Sequence, residues 1–178
     1  SEGTGYYCAI ISLHLLFINQ NLSDNDINVF LNEVCKHLVR IENEKWRNLF
    51  YKNLSDLTFK DSTIVPNWTK LVVCSTFKYA SLTCDHEKTF YLNVLKSMDN
   101  NNEFPKFVLD YSKSFSPDFY KMIWPTPDNI KQATRQLEQV SFLISNFPEY
   151  RENVIDFIGI KKEWFKNKEY QKYKKIIL

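Results

Sequence analysis

The sequence predicts an all-α protein of about seven to nine helices, arranged as a multi-helix bundle or as a short array of the helical-repeat kind. The chain has 3 glycines in 178 residues, whereas an average protein has roughly 7% glycine. Tight hairpins and glycine-rich phosphate loops need that residue. Apolar residues recur at helical spacing along the chain, and strand-like alternation never persists. The chain is therefore expected to consist of helices joined by short polar turns.

Four helices are predicted in the first half. Residues 6–19 are nearly all apolar and predict a buried helix. Ser23 followed by Asp26 is similar to a capping box, which predicts the start of a second helix. A third helix follows around residues 46–57, and a polar turn is predicted over residues 58–65. Pro66 suits the first position of a fourth helix.

Cap residues and prolines predict the helices of the second half. Thr126 followed by Pro127 is a strong start signal, and Gly159 is expected to end a helix as its C′ residue. A final helix is expected from about Lys161. Further helix starts are predicted at Asp85, Pro105, Pro117 and Pro148, with the helix after Pro117 ending near Trp124.

The charge is small but uneven. A net charge of +2 is too small to direct the whole molecule to nucleic acid or to an anionic membrane. Residues 161–178 hold seven lysines and two glutamates, a local charge of +5, so the preceding residues carry −3.

Residues 1–84 are expected to form a helical bundle with four cysteines. Residues 85–178 are expected to form a helical half that packs on it as one globular unit.

The sequence favours a non-enzymatic protein without a cofactor or a bound metal. It contains no His-Glu-x-x-His, Gly-x-Ser-x-Gly or Cys-x-x-Cys motif. The alternative is Cys8 as a nucleophile, because a thiol at a helix start has a lowered pKa. The apolar run 6–18 is too short to cross a bilayer, so no transmembrane segment is expected.

Four cysteines and three Asn-x-Ser/Thr motifs leave the compartment open. Two disulfides in a secreted protein and four thiols in a cytosolic one both fit the cysteine count; a secreted protein is slightly favoured. The motifs are about as many as chance predicts and give glycosylation candidates. The disulfide candidates are Cys8, Cys35, Cys74 and Cys84, and the glycosylation candidates are Asn21, Asn53 and Asn67.

The first half resembles the saposin-like domains, which are small helical bundles that bind or disturb lipids. The resemblance covers roughly residues 6–84 and rests on the order of cysteines and helices: Cys8 before an apolar helix, Cys35 near the end of an amphipathic one, then Cys74 and Cys84. It implies that these are the second, third, fifth and sixth family cysteines, with a Cys8–Cys74 bridge. The first and fourth family cysteines are absent, so Cys35 and Cys84 would pair with each other or stay as thiols.

Apolar residues of the first half exceed what one small bundle can bury. They are expected to line a groove for a partner or an acyl chain, or else to pack against the second half. The groove candidates are Ile10, Ile11, Leu15, Phe17, Phe30 and Phe50.

Lysines and aromatic residues are interleaved in the C-terminal tail. This pattern suits phosphate contact with base stacking, or attachment to an anionic membrane surface. A final helix with its aromatic side chains docked on the body explains the same residues. The contact candidates are Lys161, Lys162, Trp164, Lys168, Tyr170, Lys172, Tyr173, Lys174 and Lys175.

Taken together, these patterns favour an all-helical binding domain that engages a macromolecule, most naturally a protein, through an apolar and aromatic helix groove. A secreted saposin-like lipid-binding protein is the first alternative. A helical module that contacts nucleic acid through the basic C-terminal helix is the second.

Overall fold

A computed structural model describes residues 1–18, 21–60, 64–116 and 118–178. These residues contain ten α-helices and no strand, which confirms the all-α prediction. The helices are α1 (Glu2–Ile18), α2 (Asp24–Leu38), α3 (Glu44–Thr58), α4 (Asn67–Thr76), α5 (Asp85–Asn100), α6 (Phe104–Ser112), α7 (Asp118–Lys121), α8 (Pro127–Asn146), α9 (Arg151–Ile158) and α10 (Gln171–Ile177). None of these helices has the length and hydropathy that crossing a bilayer requires.

The chain forms two compact units, Ser1–Asn101 and Asn102–Leu178. In the first unit, α1 packs on α2 and α3, α3 packs on α5, and α4 packs on α2 and α5. Aromatic contacts join α3 to α5: the Tyr51 ring lies 5.9 Å from Phe90 and 5.3 Å from Tyr91, centroid to centroid. Because α5 packs on α3, the first unit extends through α5.

Three predicted helix caps are present. Ser23 Oγ accepts a hydrogen bond from the Asp26 amide at 3.2 Å and caps α2. Thr126 Oγ1 accepts one from the Asn129 amide at 3.2 Å and caps α8. Gly159 ends α9 with a φ of +74°, and its amide donates to the Ile155 carbonyl at 2.9 Å. These bonds satisfy backbone groups that a helix end leaves without an intrahelical partner.

The prediction that the first helix is buried is wrong for one of its faces. Tyr6, Ala9, Leu13 and Leu16 are buried, as expected. The opposite face of α1 is exposed, because α2 and α3 cover only one side of the helix. The predicted end of this helix at residue 19 lies outside the described residues, as do residues 61–63 of the predicted turn.

The second unit is built around α8, which packs against α7, α9 and α10, while α6 packs against α9. It contains many contacts between aromatic rings. Phe104 lies 4.3 Å from Phe147 and 4.7 Å from Tyr150, and Tyr120 lies 4.4 Å from Trp164, in each case centroid to centroid. The predicted helix start at Pro117 lies outside the described residues, and α7 ends at Lys121, before the predicted end near Trp124.

The C-terminal tail is not one continuous helix. Two 3₁₀ turns, Lys162–Lys166 and Lys168–Tyr170, precede α10. Asn167 separates them with an extended backbone, and its side-chain oxygen accepts from the Glu169 amide at 3.0 Å. This local hydrogen bond favours a new turn after Asn167. Asn side chains commonly bond to nearby backbone groups in this way and so compete with a continuing helix.

Candidate functional site

One face of α1 forms an exposed apolar surface of the first unit. Tyr7, Ile11, Leu15 and Ile18 are 59, 57, 42 and 70% exposed. At 3.6 residues per turn these four positions fall within an arc of about 80°, so they form one continuous strip, called here the α1 stripe. Protein surfaces commonly expose single large apolar side chains. Several such side chains on one helix face are typical of interaction sites.

Polar anchors hold α1 so that the stripe faces outward. The Glu2 carboxylate accepts hydrogen bonds from the Glu42 and Asn43 amides at 3.0 and 3.1 Å. The Tyr6 hydroxyl accepts one from Asn53 Nδ2 at 2.8 Å. These bonds tie the N-terminal part of α1 to the α2–α3 turn and to α3. The buried face of α1 then supplies the apolar contacts that complete its attachment.

A tryptophan stands near each end of the α1 stripe. The half-buried Trp46 ring lies 6.2 Å from Tyr7, and the half-buried Trp68 ring lies 5.9 Å from Phe17. Tryptophan is enriched among residues that dominate binding energy, because its large ring combines an apolar surface with one donor. The stripe therefore has an aromatic border at both ends.

Charge is absent along α1 itself beyond its first turn. Residues 3–23 contain no Asp, Glu, Lys or Arg, and the exposed His14 shares the face of the stripe. Lys45 lies over the Trp46 ring, with Nζ 5.6 Å from the ring centroid. The chemistry of the stripe is thus apolar, with one imidazole.

The groove candidates divide between the stripe and its surroundings. Ile11 and Leu15 belong to the stripe, whereas Ile10, Phe17 and Phe30 are half-buried. Phe50 is completely buried, with its ring 5.0 Å from that of Tyr51, and lies outside any exposed groove. Tyr7 and Ile18 were missed by the sequence reasoning, although the long uncharged run around them was a signal.

The cysteines form no disulfide among the described residues. Cys8 and Cys35 are half-buried, Cys74 is exposed and Cys84 is buried. Burial raises the pKa of the Cys35 thiol to about 11, although Lys78 opposes that rise. Burial and the Glu87 carboxylate raise the pKa of Cys84. A raised pKa keeps both thiols protonated at neutral pH, where a thiolate is needed for nucleophilic attack.

The glycosylation candidates differ in their surroundings. Asn21 and Asn67 are exposed. The Asn53 amide nitrogen donates to the Tyr6 hydroxyl and to the Leu49 carbonyl, at 2.8 and 2.9 Å. A glycan on Asn53 would remove these two hydrogen bonds. The Asn53 side chain instead helps to hold α1 on α3 through its bond to Tyr6.

A buried ion pair forms the polar centre of the first unit. Arg47 Nη2 donates to Glu87 Oε2 and to the Tyr79 carbonyl, while Nη1 donates to the Leu38 and Ile41 carbonyls at 3.3 and 2.9 Å. Burial lowers the pKa of Arg47, but Tyr51 and Glu87 raise it more, so the net shift is upward. The guanidinium therefore joins α2, α3 and α5.

The Glu87 carboxylate is saturated by further donors. It accepts from the Ser81 amide and hydroxyl at 3.2 and 3.1 Å and from the Thr83 amide at 3.2 Å. Next to it, the Tyr91 hydroxyl bonds to Tyr51 and Thr76 at 2.9 and 2.8 Å. Groups satisfied in this way hold helices together and have no lone pair directed at a substrate.

The tail candidates separate into exposed lysines and buried rings. Trp164, Tyr170 and Tyr173 are buried, as the docked alternative predicts. The Tyr173 hydroxyl donates to Glu138 Oε1 at 2.8 Å, and Lys172 Nζ lies 3.8 Å from the same oxygen. The rings are thus unavailable for stacking on bases. The lysines Lys161, Lys162, Lys168, Lys172, Lys174 and Lys175 are exposed.

A cleft of about 360 Å³ opens beside α7 in the second unit. It is lined by Tyr120, Lys121, Lys161, Glu163 and Trp164. The segment that follows Lys121 exposes three apolar side chains, those of Met122, Ile123 and Trp124. The sequence analysis did not predict this exposed segment, although an apolar triplet between a lysine and a proline indicates it.

Among the described residues, no group of three or more Cys, His, Asp or Glu side chains is placed to hold a metal ion. A scan against protein-family models, a search of curated proteins and a search of solved structures found no match to this chain. The assignment of a role therefore rests on the two exposed apolar surfaces and their charges.

Proposed function

We propose that the chain is a non-enzymatic helical binding protein whose α1 stripe receives an apolar helix of a protein partner. The observation that supports this most is the alignment of Tyr7, Ile11, Leu15 and Ile18 on one exposed helix face. Covering a half-exposed side chain of this size gains about 1 kcal/mol. Four of them give several kcal/mol before the cost of association.

The length of the stripe suits a helix as the partner. From Tyr7 to Ile18 the helix rises about 17 Å, which is three turns. An amphipathic partner helix of three to four turns presents apolar residues at matching i, i+3, i+4 and i+7 spacing. The tryptophans Trp46 and Trp68 would border such a helix at its two ends.

The lack of charge on α1 favours a protein over an anionic membrane as the partner. Peripheral membrane helices carry lysine or arginine on the polar face, and each adds about 1 kcal/mol of attraction to anionic lipid. Residues 3–18 of α1 have neither. Its apolar side chains are better matched to a dry protein interface.

The test is site-specific photo-crosslinking in cells that express the protein. A photoreactive residue at Tyr7 is expected to crosslink a defined partner, whereas one at the exposed Lys52 of α3 is not. Adding Ile11→Glu and Leu15→Glu to the Tyr7 probe should abolish the crosslink, because two charges would be buried without partners. Crosslinking that persists in the charged variant would contradict the proposal.

Once that partner is purified, its dissociation constant gives the quantitative check. Ile11→Glu is expected to weaken binding by about 30-fold or more, since central interface residues contribute about 2 kcal/mol. The matched control is Leu109→Glu, which changes a similarly exposed leucine in the second unit. Circular dichroism should show that both variants remain helical.

A thiol count tests the saposin-like alternative, which stays a prediction. Its bridge would join Cys8 to Cys74, so denatured, unreduced protein would release a Cys8–Cys74 peptide and react at fewer than four cysteines. Reaction at all four would end that alternative. In the folded protein, Cys35 and Cys84 should react slowly, because burial keeps these thiols protonated.

A further inference from the structure

The segment between α7 and α8 exposes large apolar side chains next to the start of α8. Ile123 and Trp124 are 84 and 90% exposed. Asn129 Nδ2 donates to Met122 Sδ at 3.5 Å, and Thr126 caps α8 immediately afterwards. Pro125 and Pro127 further restrict the backbone. The three residues 122–124 are called the α7–α8 tip, and the Met122 contact ties its first residue to α8.

Lysines surround the base of the α7–α8 tip. Lys121 precedes the tip directly, and Lys161 lines the same cleft as Lys121. The 3₁₀ turn Lys162–Lys166 packs beside α7 and adds two exposed lysines. Three carboxylates oppose them: Glu163 lines the cleft, Asp118 lies 3.9 Å from Lys121 Nζ, and Asp128 is in the first turn of α8. Four lysines against three carboxylates leave this region with a net charge of +1.

We propose that the second unit docks on an anionic lipid surface through this region. Ile123 and Trp124 would enter the membrane interface, and Lys121 and Lys161 would contact headgroup phosphates. Tryptophan prefers the membrane–water interface because its ring is amphipathic. Apolar insertion and lysine attraction are the two contributions that such binding combines.

The size of the tip favours lipid over a protein partner. The three side chains of the tip offer a few hundred Å² at most, whereas a standard protein interface needs about 800 Å² from each partner. Insertion into lipid needs no matching surface. A nucleic-acid partner is less favoured because the tail rings Trp164, Tyr170 and Tyr173 are buried, which leaves Trp124 as the exposed ring beside these lysines that could stack on a base.

Vesicle binding of the full chain tests the proposal. Phosphatidylcholine vesicles that contain phosphatidylserine are expected to sediment the protein and shift its tryptophan emission to the blue, whereas pure phosphatidylcholine vesicles are not. Ile123→Ser with Trp124→Ser should weaken binding by about tenfold or more. Lys121→Gln and Lys161→Gln should weaken it by about fivefold each, and added salt should weaken it in the parent.

Matched variants separate the tip from other surfaces. Phe157→Ser and Lys106→Gln change an exposed phenylalanine and an exposed lysine of the same unit, and both should bind as the parent does. Ile11→Glu should also leave vesicle binding unchanged, so this result is independent of the α1 stripe.

Three results would overturn the proposal. The first is equal binding to anionic and neutral vesicles, or no binding to either. The second is parent-like vesicle binding by the tip variant with retained helicity, which would move the contact elsewhere, for example to the α1 stripe. The third is tighter binding to a single-stranded oligonucleotide through the same lysines, which would identify nucleic acid as the partner.

Discussion

The Arg47–Glu87 pair shows how one residue can tie several elements together. Arg47 donates to carbonyls after α2 and after α4, while Glu87 on α5 accepts from it and from Ser81 and Thr83. A buried charge is costly unless it is paired and hydrogen-bonded, and here the two Nη atoms of Arg47 make these bonds while its buried Nε makes none. The position of α5 in the first unit therefore depends on both members of the pair.

Glu87→Gln is expected to lower the free energy of unfolding by about 3–5 kcal/mol, because the buried Arg47 charge loses its counterion. Urea unfolding followed by circular dichroism measures the loss. The control is Lys88→Gln on the same helix, an exposed position where a change of less than about 0.5 kcal/mol is expected. A loss below about 1 kcal/mol for Glu87→Gln would show that the pair contributes little.

The sequence did not predict that Arg47 and Glu87 form an ion pair. A single arginine and a single glutamate 40 positions apart carry no local signal, and most charged residues stay in water. Ser23 and Thr126 were predictable as caps because a cap interacts with amides two or three residues away.

Gly159 at the end of α9 shows an element boundary set by backbone conformation alone. Its φ of +74° lies in the left-handed region, and a Cβ built there meets nothing within 4 Å. A substitution thus introduces strain in the backbone without a steric clash. This makes the position a clean test of the cost of a left-handed C′ residue.

Gly159→Ala is expected to lower the free energy of unfolding by about 1 kcal/mol, since an L residue pays about 1–2 kcal/mol in this conformation. Gly159→Asn should cost less, because asparagine tolerates the left-handed region. Thermal and urea unfolding of the three proteins give the comparison. Equal stability of the alanine variant and the parent would contradict this account of the helix end.

Helix α1 shows what an element's own pattern leaves undetermined. A run that is apolar on all sides predicts a helix and predicts burial. Here α2 and α3 cover only the side that carries Tyr6, Ala9 and Leu13. Whether the other side is covered depends on which elements are adjacent, and that is a property of the packing.

The two units of the molecule differ in charge. The first carries 10 lysines and arginines against 11 aspartates and glutamates, a net of −1; the second carries 13 against 10, a net of +3. Together they account for the total of +2. The difference matches the two proposed roles, because the uncharged stripe lies in the first unit and the lysine-flanked tip lies in the second.

Alkaline pH is expected to destabilise the whole molecule through its buried tyrosines. Burial raises the pKa of Tyr51, Tyr91, Tyr111 and Tyr120 above the ordinary value, which is about 10 in the unfolded chain. Their contribution to the free energy of unfolding is complete below pH 10. It is lost as the pH rises above 10, because the unfolded chain then releases protons that the folded state retains. Each such tyrosine can cost up to about 1.4 kcal/mol per pH unit.

Urea midpoints measured from about pH 9 to about pH 11 should therefore fall steeply, with a delayed rise in phenolate absorbance. Tyr91→Phe should fall less steeply, because it removes one of the titrating groups. A flat profile over this range, or early ionisation of all tyrosines in the folded protein, would show that these phenols are not protected.

By itself, the sequence determined the fold class, most helix starts, two N-caps and the glycine C′ position, because each depends on residues within a few positions along the chain. It also located the charged tail. Only the tertiary structure decided which face of α1 stays exposed, that the tail's aromatic rings are buried while its lysines are not, and that α5 belongs to the first unit. Burial depends on which distant elements pack together, and no local spacing reports that.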